Sequence, residues 1–170
     1  MRIAVVSISA VLFLSSCISH RELAIQIPAS VPVGTSIEVL TPTDGTFESE
    51  DYPGSGNTVA GKLTAALTPY YPGSAVVTSA PKGGYSLRPQ LLHWENRATE
   101  WSGRPDRVKV SLPLYRDGKL IGSALVTANS SWWTLGGDQP DGLIDLPFAV
   151  YASMLAGKPA SNSLVKVKNP

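Results

Sequence analysis

The sequence predicts an α+β fold: a single two-layer domain with a mixed β-sheet, a β-hairpin and two main helices, preceded by an N-terminal export signal. Three observations carry that reading. Val108, Val110, Leu112 and Leu114 alternate with Lys109, Ser111, Pro113 and Tyr115, the period of a half-buried strand. Asp117-Gly118 supplies the positive φ angles of a tight turn, and residues 120–129 return alongside. Val59, Leu63, Ala66, Leu67 and Tyr70 recur at helical spacing, and so do Ile144, Phe148, Tyr151 and Leu155. The resulting order of strand, helix, strand, strand, hairpin and helix is that of a sheet with helices packed on it.

Taken in order, residues 1–16 have the parts of an export signal. Arg2 precedes an apolar stretch over residues 3–14, and Leu14-Ser15-Ser16 leads into Cys17, the single cysteine. The apolar stretch is shorter than the roughly 20 residues of a membrane span. Small residues ending in cysteine after an apolar run resemble the lipobox of bacterial lipoproteins, so residues 1–16 read as a lipoprotein signal peptide. Lipidation of Cys17 then explains an odd cysteine in an exported chain. Two or more acyl chains anchor stably, which makes the membrane the first expected partner. Ile18-Ser19 after the cysteine lacks the aspartate that retains Gram-negative lipoproteins at the inner membrane. The expected location is therefore the cell outer membrane, lipid-anchored, on its periplasmic face.

Residues 17–34, with two serines, two prolines and little periodicity, read as a lipidated tether. The α+β domain is expected over residues 35–157. Residues 36–40 form a short strand stopped by Thr41-Pro42-Thr43-Asp44-Gly45, and a loop runs through Pro53-Gly54-Ser55-Gly56. The first helix follows, with Ser55 or Asn57 as its N-cap and its end near Thr68, because Pro69 disfavours helix at the residue before it. Residues 74–79 and 86–94 read as strands, Pro89 placing the latter at an edge or bulge. After the hairpin, Pro140-Asp141-Gly142 reads as a turn before the second helix, with Asp145 as its cap and Gly157 just past its end. Residues 158–170 read as a flexible C-terminal tail.

Charge narrows the function. Loss of Arg2 with the signal takes the 14 basic side chains to 13, matching the 13 acidic ones. Nucleic-acid binding normally shows as a basic excess and is not expected. With the one sulfur acylated, no disulfide forms within the chain.

The densest chemistry lies in Leu92-His93-Trp94-Glu95-Asn96-Arg97-Ala98-Thr99-Glu100-Trp101-Ser102-Gly103-Arg104-Pro105-Asp106. With Pro42-Thr43-Asp44-Gly45, Tyr52-Pro53-Gly54-Ser55-Gly56 and Ser131-Trp132-Trp133-Thr134-Leu135-Gly136-Gly137-Asp138, this string resembles a family of bacterial lipoproteins defined as domain of unknown function family 4823. The resemblance covers most of the mature domain and implies an exported lipoprotein without assigned chemistry. Two departures stand out. Family members carry a further helix before the central strand, for which residues 76–85 leave little room, and Asn96 replaces the usual aspartate.

Glu95 and Glu100 have the residue types of a glycosidase acid and base, with Trp94 or Trp101 to stack on a sugar. The preferred reading is structural: Glu95, Arg97, Glu100, Arg104 and Asp106 form a charge network holding the loop. His93 with Glu95 makes too small a set for zinc, so no metal is expected, and no cofactor either. Gly54-Ser55-Gly56 lacks the lysine and spacing of a phosphate loop and reads as a helix cap. The serines lack His and Asp partners for nucleophilic catalysis. Trp94, Trp101, Trp132, Trp133 and Asp138 make the candidate binding surface, since exposed aromatics mark protein or glycan contacts. The sequence thus points to a non-enzymatic binding or assembly module for another envelope component, an envelope protein or a glycan. A periplasmic glycan hydrolase using Glu95 and Glu100 is the alternative.

Overall fold

A computed structural model describes residues 19–26, 30–96, 105–130, 139–159 and 164–168. The elements in chain order are β1 (His20–Gln26), β2 (Ile37–Leu40), β3 (Gly45–Phe47), β4 (Glu50–Tyr52), α1 (Ser55–Leu67), β5 (Ala75–Val77), β6 (Tyr85–Leu87), β7 (Gln90–Glu95), β8 (Arg107–Ser111), β9 (Leu114–Arg116), β10 (Lys119–Asn129), α2 (Pro140–Leu155) and β11 (Lys166–Lys168). The fold is α+β, with a mixed sheet, a hairpin and two helices.

The hairpin is the spine of the sheet. Asp117 and Gly118 take φ of 50° and 77°, the two left-handed positions of the turn. Strands β8 and β9 lie along one edge of β10 and act as a single bent strand. The reciprocal bonds of Leu112 and Ala124 carry the ladder across the gap, and the register slips between Leu120 and Gly122. Strands β6 and β7 are likewise one strand interrupted at Arg88-Pro89, where Arg88 N–H still donates to Pro113 O. Pro89 has no N–H to donate, which is why the break falls there. Beyond β6, β2 and β5 run parallel, joined by the crossover that contains α1. On the other side of β10, β1 pairs antiparallel and β11 adds in parallel.

Both helices cover one face of this sheet. α1 packs on β2 and β5, α2 on β1, β8 and β10, and the helices pack on each other. Alternation supplies the core from the sheet: Leu23, Ile37, Val39, Leu87, Val110, Leu112, Leu114 and Val126 are fully buried. Leu63, Leu67, Phe148, Tyr151 and Leu155 meet them from above.

Five expectations are corrected. Residues 20–26, read as tether, are β1, inside the sheet between β10 and β11. Residues 166–168, read as loose tail, are β11. Pro140-Asp141-Gly142 is the first turn of α2 and not a separate turn, because proline fits the first helical position, where its missing N–H would have no partner. Asp145 is accordingly interior, and its carboxylate meets Lys62 Nζ at 2.8 Å. The cap of α1 is also displaced. Gly54, at φ 84°, precedes a helix that starts at Ser55, and neither Ser55 nor Asn57 caps it.

Candidate functional site

The cap of α1 comes from a distance. Asp44 accepts the Gly56 N–H on Oδ1 at 2.7 Å and the Gly54 N–H on Oδ2 at 3.0 Å. These bonds to the backbone hold its carboxyl below the usual carboxylate range. Ser55 Oγ accepts the Gly45 N–H at 2.8 Å and donates to Tyr52 O at 2.7 Å. Gly45 and Gly56 are required by close approach. A Cβ on Gly45 would lie 2.6 Å from Trp94 Cβ, and one on Gly56 would lie 2.3 Å from the Pro42 carbonyl oxygen. The two short motifs around Asp44 and Ser55 therefore lock the β3–β4 hairpin, the start of α1 and β7 into one unit. An external anion finds these helix N–H groups already occupied by Asp44.

Against this unit lies a solvent-open cavity of about 590 Å³, within the size range of small-molecule sites. Asp51 and Tyr52 wall it from β4, Thr58 from α1, Trp94 and Asn96 from the end of β7, and Gln139 and Asp141 from the start of α2. The Tyr52 hydroxyl donates to Glu50 Oε2 at 2.9 Å, and burial pushes the phenol up. Asn96 Oδ1 is buried and has no hydrogen-bond partner among the described residues. Lys62 ties the helices together at this end, 2.8 Å from Asp145 and 3.9 Å from Asp141. The lining thus offers two carboxylates, two amides, a threonine hydroxyl and two aromatic rings. Such a set accepts hydrogen bonds from hydroxyls and stacks on flat apolar faces. Among the described residues no group of three metal-ligating side chains occurs.

Of the residues singled out in the sequence, Trp94 is 6% exposed and packs in the core, where it forms part of the cavity wall; it is not part of an open surface patch. Glu95 is 2% exposed, lies 3.1 Å from His93 Nε2, and does not line the cavity. Its carboxylate is a structural partner of His93 and stands apart from the cavity where a substrate would lie. Asp106 sits where β8 begins; its N–H donates to Ser130 Oγ at 2.8 Å and its carbonyl accepts the Ser130 N–H at 2.9 Å. Cys17, Arg97, Glu100, Trp101, Arg104, Trp132, Trp133 and Asp138 lie outside the described residues. Sequence reading missed Asp51, Gln139 and Asp141 as site residues. Tyr52 and Asn96 stood inside the motifs, and only the fold brings these segments together.

Two solved structures share the fold. PelC from Paraburkholderia phytofirmans, a dodecamer, is 12% identical, with 82% of this chain and 99% of that chain covered at a TM-score of 0.61. A single-substitution variant of the same dodecamer is 14% identical, with 84% and 99% covered at 0.59. Identity at this level speaks for the fold alone. Among curated proteins no relative matches. Residues 29–155, three quarters of the chain, match the model of the family described as a domain of unknown function, DUF4823, and the chain belongs to that family.

Proposed function

We propose that this chain is a lipid-anchored protein of the outer membrane, facing the periplasm, that serves as a binding and assembly module. Its cavity takes a hydroxyl-rich segment of an envelope glycan. The observation that carries the reading is the cavity lining: Tyr52 and Trp94 beside Asp51, Asp141 and the Asn96 carbonyl, which has no hydrogen-bond partner among the described residues. Converging acceptors beside the half-buried Tyr52 ring match the alternating hydroxyl and apolar faces of a sugar. The dodecameric assembly of PelC supports an assembly role for a fold of this kind.

Cys17 at the end of its apolar run supports the anchor, and the fold adds a consequence. With β1 starting at His20, only Ile18 and Ser19 separate the anchor from the sheet, a reach of at most about 10 Å. The domain then rests against the bilayer and does not swing on a tether.

The test combines anchorage and binding on the full chain. Cys17→Ser is expected to abolish palmitate incorporation and leave uncleaved precursor. Asp51→Asn with Asp141→Asn is expected to lower the melting temperature by no more than a few degrees, the worth of the exposed Lys62–Asp141 contact, while reducing retention on peptidoglycan fragments by about tenfold, since hydrogen bonds to charged groups are worth about 1.5 to 3 kcal/mol. Normal maturation of Cys17→Ser would refute the anchor. Unchanged retention, or none by the native chain, would refute the glycan reading.

A further inference from the structure

The face of the sheet turned away from the helices carries a charge pattern that the cavity does not use. Register places its side chains in rows. Lys166, Glu22, Thr127 and Lys109 lie in one row across β11, β1, β10 and β8. Lys168, Ala24, Leu125 and Ser111 lie in the next, and His20, Asn129 and Arg107 in the row on the other side. Lys109 and Lys166 are thus three strands apart, about 14 Å, with Arg107 about 7 Å along the strand from Lys109. The centre is small and half-buried: Ala24, Leu125, Thr127 and Ser111. Two acids lie in these rows: Glu22, which Lys168 holds at 2.8 Å, and, where the rows continue onto β7, Glu95 opposite Arg107, buried and 3.1 Å from His93. Arg107, Lys109 and Lys166 are exposed and make no ion pair among the described residues.

The complementary charge stands elsewhere on the same chain. Between Arg21 and Lys62 there is no lysine or arginine, and Glu48, Glu50 and Asp51 project from the β3–β4 hairpin, all exposed. That hairpin forms its own two-stranded ribbon, packed against β7. Strand β7 pairs with β8, so across the sheet the hairpin lies on the side opposite β1 and β11. The chain therefore carries two separate charged patches, a basic one on the open sheet face from β8 to β11 and an acidic one on the hairpin beyond β7, where Phe47 meets His93, the register partner of Lys109.

We propose that the open sheet face is an interaction surface for a second copy of this chain, whose β3–β4 hairpin sets Glu48, Glu50 and Asp51 against Arg107, Lys109 and Lys166. The inference deepens the assembly half of the reading above. A surface with uncharged residues at its centre and charges at its rim has the anatomy of a protein interface. Charge complementarity fixes partner and register, and two different patches of one chain make a heterologous contact that closes into a ring if its rotation allows.

The test is a charge swap on the full-length chain, purified in detergent and followed by sedimentation with the detergent density-matched. One variant carries Lys109→Glu and Lys166→Glu, the other Glu48→Lys and Glu50→Lys. All four positions are exposed, so both variants are expected to melt within a few degrees of the native chain. The native chain is expected to assemble at low salt and to dissociate toward 1 M salt, where screening shortens to about 3 Å. Each variant alone is expected to associate about 100-fold more weakly or worse, because like charges then face each other. An equimolar mixture is expected to reassemble, since the reversed face of one variant fits the reversed hairpin of the other. A native chain that stays monomeric at low salt overturns the proposal, and so does assembly of either variant at native strength. Failure of the mixture to reassemble also overturns it. Loss caused by the face variant alone, with the hairpin variant unaffected, likewise overturns it, because the face would then meet some other part of the second copy. Palmitate labelling and glycan retention are read separately, so failure here leaves the anchor and cavity readings standing.

Discussion

The two faces of the sheet are made from alternate residues of the same strands, and they have diverged completely. On β1, Leu23 is fully buried while its neighbours Glu22 and Ala24 remain partly open. On β8, Val108 and Val110 are covered while Arg107 and Lys109 are exposed. One face carries the hydrophobic burial that stabilises the domain, and the other is free to carry recognition. Because side chains alternate with period two, one strand supplies both faces, although Arg21, opposite the buried Ala128, brings a charge to the covered side. The same register that drives Leu23 under α2 places Glu22 beside Lys168.

The covered face should break hardest where the helix layer meets the sheet. Phe148 on α2 is fully buried, and Phe148→Ala is expected to lose about 4 kcal/mol, read as a fall in the denaturant midpoint with an unchanged slope. A smaller effect of opposite sign is expected beneath the same helix. The Tyr151 hydroxyl is buried without a hydrogen-bond partner among the described residues, and burial pushes its phenol far above the ordinary value, so it stays neutral. Tyr151→Phe is expected to raise stability by up to about 1 kcal/mol, since an unsatisfied buried polar group costs free energy that phenylalanine does not. A loss of stability on calorimetric melting would mean that the hydroxyl is partnered.

How far the sequence discloses this arrangement depends on the distance over which each element finds its partners. The hairpin was readable because its alternation and its Asp117-Gly118 turn are local, and α1 because its apolar spacing and Pro69 are local too. β1 was not. In His20-Arg21-Glu22-Leu23-Ala24-Ile25-Gln26 only two large apolar residues alternate, and the strand's partners are β10 and β11, about a hundred residues or more away. β11 is three residues long and shows no pattern by itself. Asp44 caps α1 from twelve residues away, beyond the reach of a rule that looks at adjacent positions. The cavity draws on β4, α1, β7 and α2, so its residues were visible only as fragments of motifs. The tryptophan-rich reading went to Trp94 because aromatic residues mark surfaces as readily as cores, and the fold places this one in the core.

Neighbouring residues on β1 test the division of labour most directly, with urea unfolding of Leu23→Ala and Glu22→Gln measured side by side in 1 M salt. Leu23→Ala is expected to lose about 3 kcal/mol, because β1 is part of the core and not a tether. Glu22→Gln is expected to lose less than about 0.5 kcal/mol, the worth of an exposed ion pair. The hydrogen bond from Lys168 lowers the folded-state pKa of Glu22, so its small contribution is present above the ordinary glutamate value and is lost as pH falls through the lowered one. Equal losses at the two positions would contradict the account: the face now described as open would then be packed against part of this same chain, and no surface would remain there for recognition.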